Sequence, residues 1–358
     1  MLCYSVIFVK EVILMSSRPI PHAKSSFNIT SPPIKANGAL RRIVVVLLII
    51  STVFTVLYVA LSLYIATQLV YIPQKPLYAT PALLGLKFHY VTFPSRDDHI
   101  QLRGWFIPGV LPNGNLTAQR TIIIVHGTRT NRADKAAGLL NLSGAIAKDG
   151  FAVLAFDMRG SGESPPAPLS LGYFEQRDVL GAVDFLKAGS LPYPELGRPR
   201  AIGGWGVSMG AATLIMAAAQ EPAIRAVVSD CAYADIIPLL ERQIPLGDHL
   251  PQLFTPGALL STQALYGVNF YADRPVDFVA QIAPRPILFI HGAADKYIPP
   301  SNMDMLAAAA RSAPNANVQT WSVPGADHAQ SFNTLGKVYV DRIIAFYTAA
   351  LGSDSGTA

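Results

Sequence analysis

Cysteine and charge are both scarce in this sequence. The chain of 358 residues has two cysteines, Cys3 and Cys231, which excludes a fold held together by a disulfide framework. No group of cysteines and histidines has the spacing of zinc ligands, so we expect no metal site. Charged residues make up 14% and hydrophobic residues 51% of the chain, a balance that permits a large core and disfavours disorder outside the chain ends.

The larger part of the chain lacks excess positive charge, although the net charge is +5. Residues 1–73 hold six of the 28 basic residues and one of the 23 acidic residues, so residues 74–358 hold 22 of each. A nucleic-acid-binding domain would carry its own positive excess. The sequence therefore predicts no nucleic-acid partner.

Charge is absent from Ile43 to Thr67, where most residues are apolar. A helix of these 25 residues, at about 1.5 Å per residue, is longer than the roughly 30 Å hydrocarbon core of a membrane. Basic residues before the span, Arg41 and Arg42 among them, predict a cytoplasmic N-terminus and an extracytoplasmic chain after Tyr71. A cleaved signal peptide is the alternative, but the run is too long for one and no clear cleavage site follows it. We therefore predict an uncleaved single-pass membrane anchor.

These features predict the organisation of the chain. It consists of a basic cytoplasmic tail at 1–42, a transmembrane anchor at 43–70, a linker at 71–84, one α/β domain at 85–350 and a disordered tail at 351–358. The true start is open between Met1 and Met15, because Met15 begins a stretch typical of an ordinary cytosolic N-terminus.

Short apolar segments alternate with helix-like segments from about residue 85 onward. The strand-like segments, rich in β-branched and aromatic residues, are Phe88–Phe93, Ile100–Ile107, Thr121–Val125, Phe151–Asp157, Ala201–Val207, Ile224–Ser229, Pro286–Ile290 and Val318–Val323. The helix-like segments are Ala133–Lys148, Tyr173–Ala188, Met209–Gln220, Met303–Arg311 and Lys337–Leu351. Strands without polar alternation are typical of a parallel sheet that helices cover on both faces. The sequence predicts an α/β fold with about eight mostly parallel strands.

A long apolar stretch interrupts this alternation after the sixth strand. Residues 231–284 are rich in proline, leucine and aromatic residues where a single helix is expected. An insertion of this length at one loop of an α/β sheet is typical of a lid over an active site. A structural excursion with its own small core explains the composition equally well, and the sequence leaves both open.

The pentapeptide Gly206-Val207-Ser208-Met209-Gly210 follows a predicted strand and opens a predicted helix. This context makes the Gly-x-Ser-x-Gly pattern specific, because the tight turn leaves no room for side chains at Gly206 and Gly210. The turn presents the Ser208 hydroxyl and directs the Met209 amide toward a bound carbonyl. Ser208 is the predicted nucleophile, and a serine that only caps the helix is the structural alternative.

A base and its orienting carboxylate, which a serine nucleophile needs, follow later in the chain. Asp295 comes in the loop after the strand Pro286–Ile290, and His328 comes in the loop after the last strand. Ligands bind at the carboxyl edge of a parallel sheet, where both loops and Ser208 are expected. Asp327 is the rival acid, but a residue adjacent to the base rarely reaches its far ring nitrogen.

Two backbone amides are expected to stabilise the oxyanion of such a reaction. Met209 supplies one. We expect Thr128 to supply the other, because Gly127 lets the chain turn sharply after the strand Thr121–Val125. His126 is interpreted as a structural residue of the same loop.

Two further stretches carry charge without a predicted catalytic role. Arg129 and Arg132 follow the oxyanion loop, where either a contact with an anionic substrate group or simple solvation explains them. Residues 157–164, Asp-Met-Arg-Gly-Ser-Gly-Glu-Ser, suggest a phosphate loop but lack the Gly-Lys-Ser/Thr ending. We expect no nucleotide and no other cofactor.

Together these motifs resemble the α/β-hydrolase superfamily over residues 85–350. The motifs that occur in the family's order are the nucleophile turn, His126-Gly127, the 157–164 stretch, the acid loop 291–299 and the final histidine. Within the superfamily the chain is most similar to hydrolases with one N-terminal transmembrane helix, relatives of acyl-protein thioesterases and lysophospholipid lipases, some with a serine-aminopeptidase-like domain. One departure is Thr128-Arg129, where relatives often have smaller or apolar residues, which leaves the shape of the acyl pocket open.

The resemblance implies a serine hydrolase without a cofactor, with Ser208, Asp295 and His328 as the triad and Thr128 and Met209 as oxyanion donors. The leading hypothesis is an esterase, thioesterase or lipase that acts on a small acyl substrate, a lipid or an acylated molecule at the membrane.

Two other functions stay open. A serine peptidase of the prolyl-peptidase type needs acidic residues to hold a free amino terminus, and Asp235, Glu241 and Asp248 are too few to decide. A non-catalytic binding protein can also use this fold. The sequence does not determine the oligomeric state.

Overall fold

The computed structural model describes residues 38–248, 251–272 and 274–352, except for the side chains of residues 246–248. The predicted tail at 1–37, with its two possible starts, and residues 353–358 lie outside the described residues. The chain divides into two units, residues 1–52 and 53–358, and the α/β domain belongs to the second. Residues 38–52, the described part of the first unit, are exposed helix.

The second unit is built on an eight-stranded sheet. In chain order its strands are β1 (His89–Pro94), β2 (Gln101–Ile107), β5 (Arg120–Val125), β6 (Ala152–Asp157), β7 (Ala201–Val207), β8 (Ile224–Asp230), β9 (Ile287–Gly292) and β10 (Val318–Val323), while β3 (Gly109–Val110) pairs separately with β4 (Leu116–Thr117). The strand order is β1-β2-β6-β5-β7-β8-β9-β10. β2 pairs antiparallel with β1 and β6, and all other neighbours pair in parallel. The predicted eight-stranded, mostly parallel sheet is confirmed.

Helices flank this sheet, and the core forms two layers. Within the described residues the helices are α1 (Gly38–Val70), α2 (Leu139–Lys148), α3 (Glu175–Ala188), α4 (Met209–Gln220), α5 (Ile236–Asp248), α6 (Thr255–Tyr266), α7 (Pro275–Phe278), α8 (Ser301–Arg311), α9 (Ser331–Leu335) and α10 (Lys337–Leu351). Alternate residues of β5 enter different layers: Ile123 and Val125 join one buried cluster, and Ile122 and Ile124 join the other. A fully buried strand with this pattern explains its continuous apolar sequence.

The start of α2 differs from the prediction. Helix was expected from Ala133, but α2 begins at Leu139. The side chain of Asn131 accepts the Ala133 amide at 3.0 Å, and Asp134 accepts the Ala136 amide at 3.0 Å. Such side-chain turns compete with helix formation, because they give the backbone amides other acceptors.

The insertion after the sixth strand of the sheet is helical. Residues 231–284 contain α5, α6 and α7. Ala258, Leu259, Val268 and Phe270 are buried in the same cluster as the sheet. The insertion therefore packs as part of the domain, and its movement as a lid stays a prediction.

Helix α1 is long and apolar enough to cross a membrane by length and composition. Its last turns, however, belong to the folded domain: Ser62, Ile65, Ala66 and Val70 are buried. The anchor predicted at 43–70 stays a prediction, and hydropathy alone does not distinguish an apolar residue that faces lipid from one that faces a core.

The segment predicted to be a linker is also part of the domain. Leu77 and Leu84 pack against the second layer of the core. The Gln74 amide nitrogen donates to the Ser164 carbonyl at 2.6 Å, and the Leu169 amide donates to the Val70 carbonyl at 2.8 Å. Residues 71–84 are therefore fixed against the domain rather than a free connection.

The stretch at 157–164 has a structural role. Asp157, at the end of β6, forms a buried salt bridge with Arg132, and both side chains are fully buried. Asp157 also accepts the amides of Arg132 at 2.7 Å and Glu163 at 2.9 Å. A side chain at Gly162 would collide with the Asp157 carboxylate, since its Cβ would lie 2.1 Å from Oδ2. Neither predicted role of Arg132, substrate contact or solvation, is correct.

We predict that Asp157→Asn destabilises the fold strongly. The substitution removes the fully buried partner of the Arg132 guanidinium and leaves it only Glu163, whose side chain is half exposed. Breaking a buried ion pair typically costs about 3–5 kcal/mol of the free energy of unfolding. Urea unfolding of the full-length protein in detergent measures the loss. Asp341→Asn, which breaks the exposed Lys337–Asp341 pair, is the control and should cause no measurable loss. Equal stability of the two variants would contradict the prediction.

Candidate active site

Ser208 lies in a strained turn between β7 and α4. Its φ is 56° and its ψ is −125°, a conformation that non-glycine residues rarely adopt. A Cβ at Gly206 would lie 2.5 Å from the Gly210 carbonyl oxygen, and a Cβ at Gly210 would lie 2.3 Å from the carbonyl oxygens of Val125 and His126. Both glycines of the predicted pentapeptide are therefore required by the close approach of backbone on either side of the serine.

The structure brings the three predicted triad residues together. Nε2 of His328 is 2.9 Å from the Ser208 hydroxyl oxygen, and Nδ1 is 2.8 Å from Oδ2 of Asp295. Ser208 follows β7, Asp295 follows β9, and His328 follows β10, so all three lie beyond the carboxyl ends of parallel strands. Ser208 is 6% exposed and Asp295 is 4% exposed, which leaves the hydrogen bonds little competition from water.

The Asp295 carboxylate is held in one orientation. Its Oδ1 accepts the backbone amides of Tyr297 at 2.9 Å and Ile298 at 2.8 Å, which leaves Oδ2 for His328. Burial alone would raise the pKa of Asp295, but the side chains of His291 and His328 outweigh it and hold the pKa below its ordinary value. The carboxylate is therefore ionised at neutral pH.

Asp327, the rival acid, does not reach the far side of the imidazole. It is exposed, and its Oδ1 accepts the backbone amide of His328 at 2.8 Å. Its carboxylate therefore serves the turn that carries the histidine.

A second buried carboxylate, Asp230, was missed by the sequence analysis. Its backbone oxygen accepts the Ser208 amide at 2.9 Å, and its side chain accepts the hydroxyls of Ser331 and Tyr339, each at 2.9 Å. Burial raises the pKa of Asp230 to about 6, against the lowering effect of these hydrogen bonds. The position of Asp230 at the end of a buried strand could have identified it from the sequence. Nothing in the sequence identifies its partners, which lie more than 100 residues away.

The predicted oxyanion loop lies against the nucleophile. A Cβ at Gly127 would be 3.4 Å from the Ser208 Cβ, so the glycine permits close approach. The Met158 amide donates to His126 Nε2 at 3.0 Å, which leaves Nδ1 to donate to the Gly127 carbonyl at 2.7 Å. Burial lowers the pKa of His126, so this imidazole is neutral and holds the loop in place.

A cleft of about 800 Å³ opens at these residues. Its lining includes Thr128, Ser208, Met209 and His328, together with Arg129. One apolar wall comes from the end of α1 and the residues after it, Leu69, Tyr71 and Ile72. A second group of apolar lining residues comes from α5, with Ile236, Leu239, Leu240 and Ile244. The Thr128 hydroxyl is buried without a hydrogen-bond partner among the described residues, so it is available to a ligand.

Cys231, Asp295 and His328 place one metal-ligating atom each within 4.8 Å of one another. Asp295 and His328 already hydrogen-bond to each other, and His328 also hydrogen-bonds to Ser208. Burial raises the pKa of the Cys231 thiol well above its ordinary value, so the thiolate that binds metals is disfavoured. Asp295 and His328 therefore fit a proton-transfer system with Ser208 better than a metal centre with Cys231.

The model of the prolyl oligopeptidase family matches residues 142–354, which is more than half of the chain. The chain belongs to the prolyl oligopeptidase family. The matched region contains Ser208, Asp295 and His328, whereas Thr128 and helix α1 precede it. With the fold described above, this membership makes the protein an α/β-hydrolase, as the sequence predicted. The finer resemblance to membrane-anchored thioesterases stays a prediction.

Three proteins illustrate what this hydrolase is similar to. YfhR of Salmonella typhi is 28% identical over 319 residues, which cover 85% of this chain and 97% of YfhR. Thiohydrolase aneE of Aspergillus aculeatus is 32% identical over 152 residues, which cover 40% of this chain and 44% of aneE. The structure of the Pyrococcus furiosus esterase Pf2001 matches with a TM-score of 0.64 at 23% identity, covering 79% of this chain and 99% of the esterase. This structural likeness shows the fold.

We predict that Asp295→Asn lowers kcat for a water-soluble ester by about ten-thousandfold, because the imidazole loses the carboxylate that fixes its tautomer. Full-length protein in detergent and p-nitrophenyl acetate provide the assay. Asp327→Asn is the matched control and should retain nearly normal turnover, since that carboxylate accepts the backbone amide of His328 and not its imidazole. If Asp327→Asn lost more turnover than Asp295→Asn, Asp327 and not Asp295 would be the acid of the triad.

Proposed function

We propose that the protein is a serine hydrolase that cleaves carboxylic ester or thioester bonds through an acyl-enzyme. The observation that carries the proposal is the position of the His328 imidazole, which joins the Ser208 hydroxyl at 2.9 Å to the Asp295 carboxylate at 2.8 Å. This is the arrangement that activates a serine for attack on a carbonyl.

Each residue has one role in this reaction. Ser208 Oγ attacks the acyl carbon while His328 Nε2 takes the hydroxyl proton, and Asp295 stabilises the imidazolium that forms. The amides of Met209 and Thr128 stabilise the oxyanion. His328 then donates the proton to the leaving alcohol or thiol. In the second half, water attacks the acyl-enzyme with His328 as the base and restores the Ser208 hydroxyl.

The cleft supports an apolar acyl group as the substrate's recognition element. Leucine, isoleucine and tyrosine side chains from α5, from the end of α1 and from the residues after it line the cleft. Burial of each methylene of an acyl chain among such side chains contributes about 0.8 kcal/mol. The names of esterase Pf2001 and thiohydrolase aneE agree with this substrate class.

The family match favours a second candidate, a serine peptidase, but the cleft offers little to hold a peptide amino terminus. Asp235 forms an ion pair with Arg274 at 2.8 Å. Among the described residues that line the cleft, Asp134 has the one carboxylate, and Arg129 and Lys75 line it as well; the side chain of Asp248 lies outside the described residues. A protonated amine would meet more positive than negative charge there, so we place peptide hydrolysis second. Non-catalytic binding alone would leave the Ser208–His328–Asp295 relay unexplained.

We further propose that α1 anchors the enzyme in a membrane, with the N-terminus cytoplasmic and the catalytic domain extracytoplasmic. The length and apolar composition of α1 support the anchor. Arg41 and Arg42 at its start support the orientation.

A fluorophosphonate probe and a substrate panel test the proposed chemistry. We predict that the full-length protein is labelled and hydrolyses p-nitrophenyl esters and acyl-thioesters faster than aminoacyl amides. Ser208→Ala should abolish labelling and lower turnover by several powers of ten, whereas Ser301→Ala, a control at the start of α8, should change neither. Labelling that persists in Ser208→Ala would refute the nucleophile, and faster turnover of the amides would favour the peptidase.

A further inference from the structure

The insertion carries exposed apolar side chains that the catalytic mechanism does not use. Residues 251–272, which include α6, contain no charged residue. Four large apolar side chains stand out from this segment, and we call them the insertion face: Leu253 at 59%, Leu260 at 62%, Leu265 at 52% and Tyr271 at 51% exposure. A helix that faces water normally carries charged residues on its outer side. Several exposed large apolar side chains in one uncharged segment make that segment a candidate binding surface.

The segment that carries this face packs directly on α1. A Cβ at Gly257 would lie 2.3 Å from the Ser62 hydroxyl oxygen and 2.7 Å from the Tyr58 hydroxyl oxygen, so the two helices are in close contact at the glycine. The rings of Tyr58 and Phe254 stack with centroids 5.3 Å apart, and the Tyr58 hydroxyl donates to the Leu253 carbonyl at 3.1 Å. The insertion face is thereby fixed beside positions 58–62 of α1.

These positions of α1 fall inside the predicted membrane span. A hydrocarbon core of roughly 30 Å takes about 20 helical residues, and counted from Arg42 these end at Ser62. Val53, Phe54, Val56 and Leu57, just before the contact, are 51–69% exposed, as lipid-facing residues are. Tyrosines occur in these segments at positions 58, 71, 266 and 271, and tyrosine is enriched where membranes meet water.

We infer that the insertion face is a second membrane contact, immersed in the leaflet nearest the catalytic domain. A lipid bilayer fits better than a protein partner, because the face has no charge to specify one and lies beside the exposed apolar surface of α1. This inference rests on the proposed anchor and extends the proposed function.

A membrane contact at the insertion face also provides a path for a substrate from the membrane leaflet to the cleft. Tyr71, which lines the cleft, packs edge-on against Tyr266 at the end of α6, with centroids 5.6 Å apart. The apolar walls of the cleft thus adjoin the element that carries the insertion face. The substrate class that fits is a membrane amphiphile whose acyl chain moves from the leaflet between α1 and α5 and brings its ester or thioester carbonyl to Ser208.

Fluorescence quenching by lipid tests the contact directly. Leu260→Cys and the equally exposed control Val338→Cys on α10, at 60%, are placed in full-length protein that carries Cys3→Ser, where the remaining Cys231 is buried. Each is labelled with an environment-sensitive fluorophore and reconstituted into phosphatidylcholine vesicles with doxyl-labelled lipids. We expect severalfold stronger quenching at position 260 than at position 338.

Equal quenching at the two positions would overturn the inference. A blue-shifted label at position 260 that doxyl lipids do not quench would indicate a protein contact, such as a second copy, and would also overturn it. Fluorophosphonate labelling of the same samples separates this result from the proposed function: quenching without labelling supports the contact and refutes the serine chemistry.

Hydrolysis from vesicles tests the route. Leu260→Asp should lower the rate on a long-chain ester embedded in vesicles by about tenfold or more and leave hydrolysis of soluble p-nitrophenyl acetate unchanged. Val338→Asp should change neither rate. A wild-type rate of Leu260→Asp on the embedded ester would contradict the route, and an equal loss on both esters would contradict a role specific to the membrane.

Discussion

The close approach of backbone around Ser208 is the constraint on which the site depends. Gly210 contacts the end of β5, and Gly206 contacts the first turn of α4, at distances that exclude any side chain. The turn holds Ser208 at a φ of 56°, which a serine does not adopt without support. The strand order β5-β7-β8-β9-β10 then brings the loops of Asp295 and His328 to the same edge. The hydroxyl is thus in place before a substrate binds, so little reorganisation is needed during the reaction.

Asp230 connects the two halves of this arrangement. Its backbone oxygen holds the Ser208 amide, and its carboxylate holds Ser331, three residues after His328. The nucleophile turn and the histidine loop therefore share one buried anchor. Burial of a carboxylate in the interior is costly even with two hydrogen bonds, and burial raises the pKa of Asp230. This connection helps to hold the two loops so that His328 Nε2 stays 2.9 Å from Ser208 Oγ.

Local patterns predicted the parts that depend on local chemistry. The strands are predicted by continuous apolar runs, and the tight turn at Ser208 is predicted by the two glycines that flank it. The start of α2 was missed because Asn131 and Asp134 accept backbone amides that a helix would otherwise use. The burial of Ile65 and Ala66 near the end of the predicted anchor was not foreseen, because these residues are as apolar as lipid-facing residues. Asp230 was missed because its partners are distant in sequence, and only the fold brings them together.

The central claim is that Ser208 and His328 act as one unit, and the double variant Ser208→Ala/His328→Ala tests it most directly. Turnover of a soluble ester by full-length protein is measured for both single variants and for the double variant. The double variant is expected to be no slower than either single variant, because each substitution removes the same proton transfer. Losses that multiply in the double variant would show that the two residues act independently and would contradict the account.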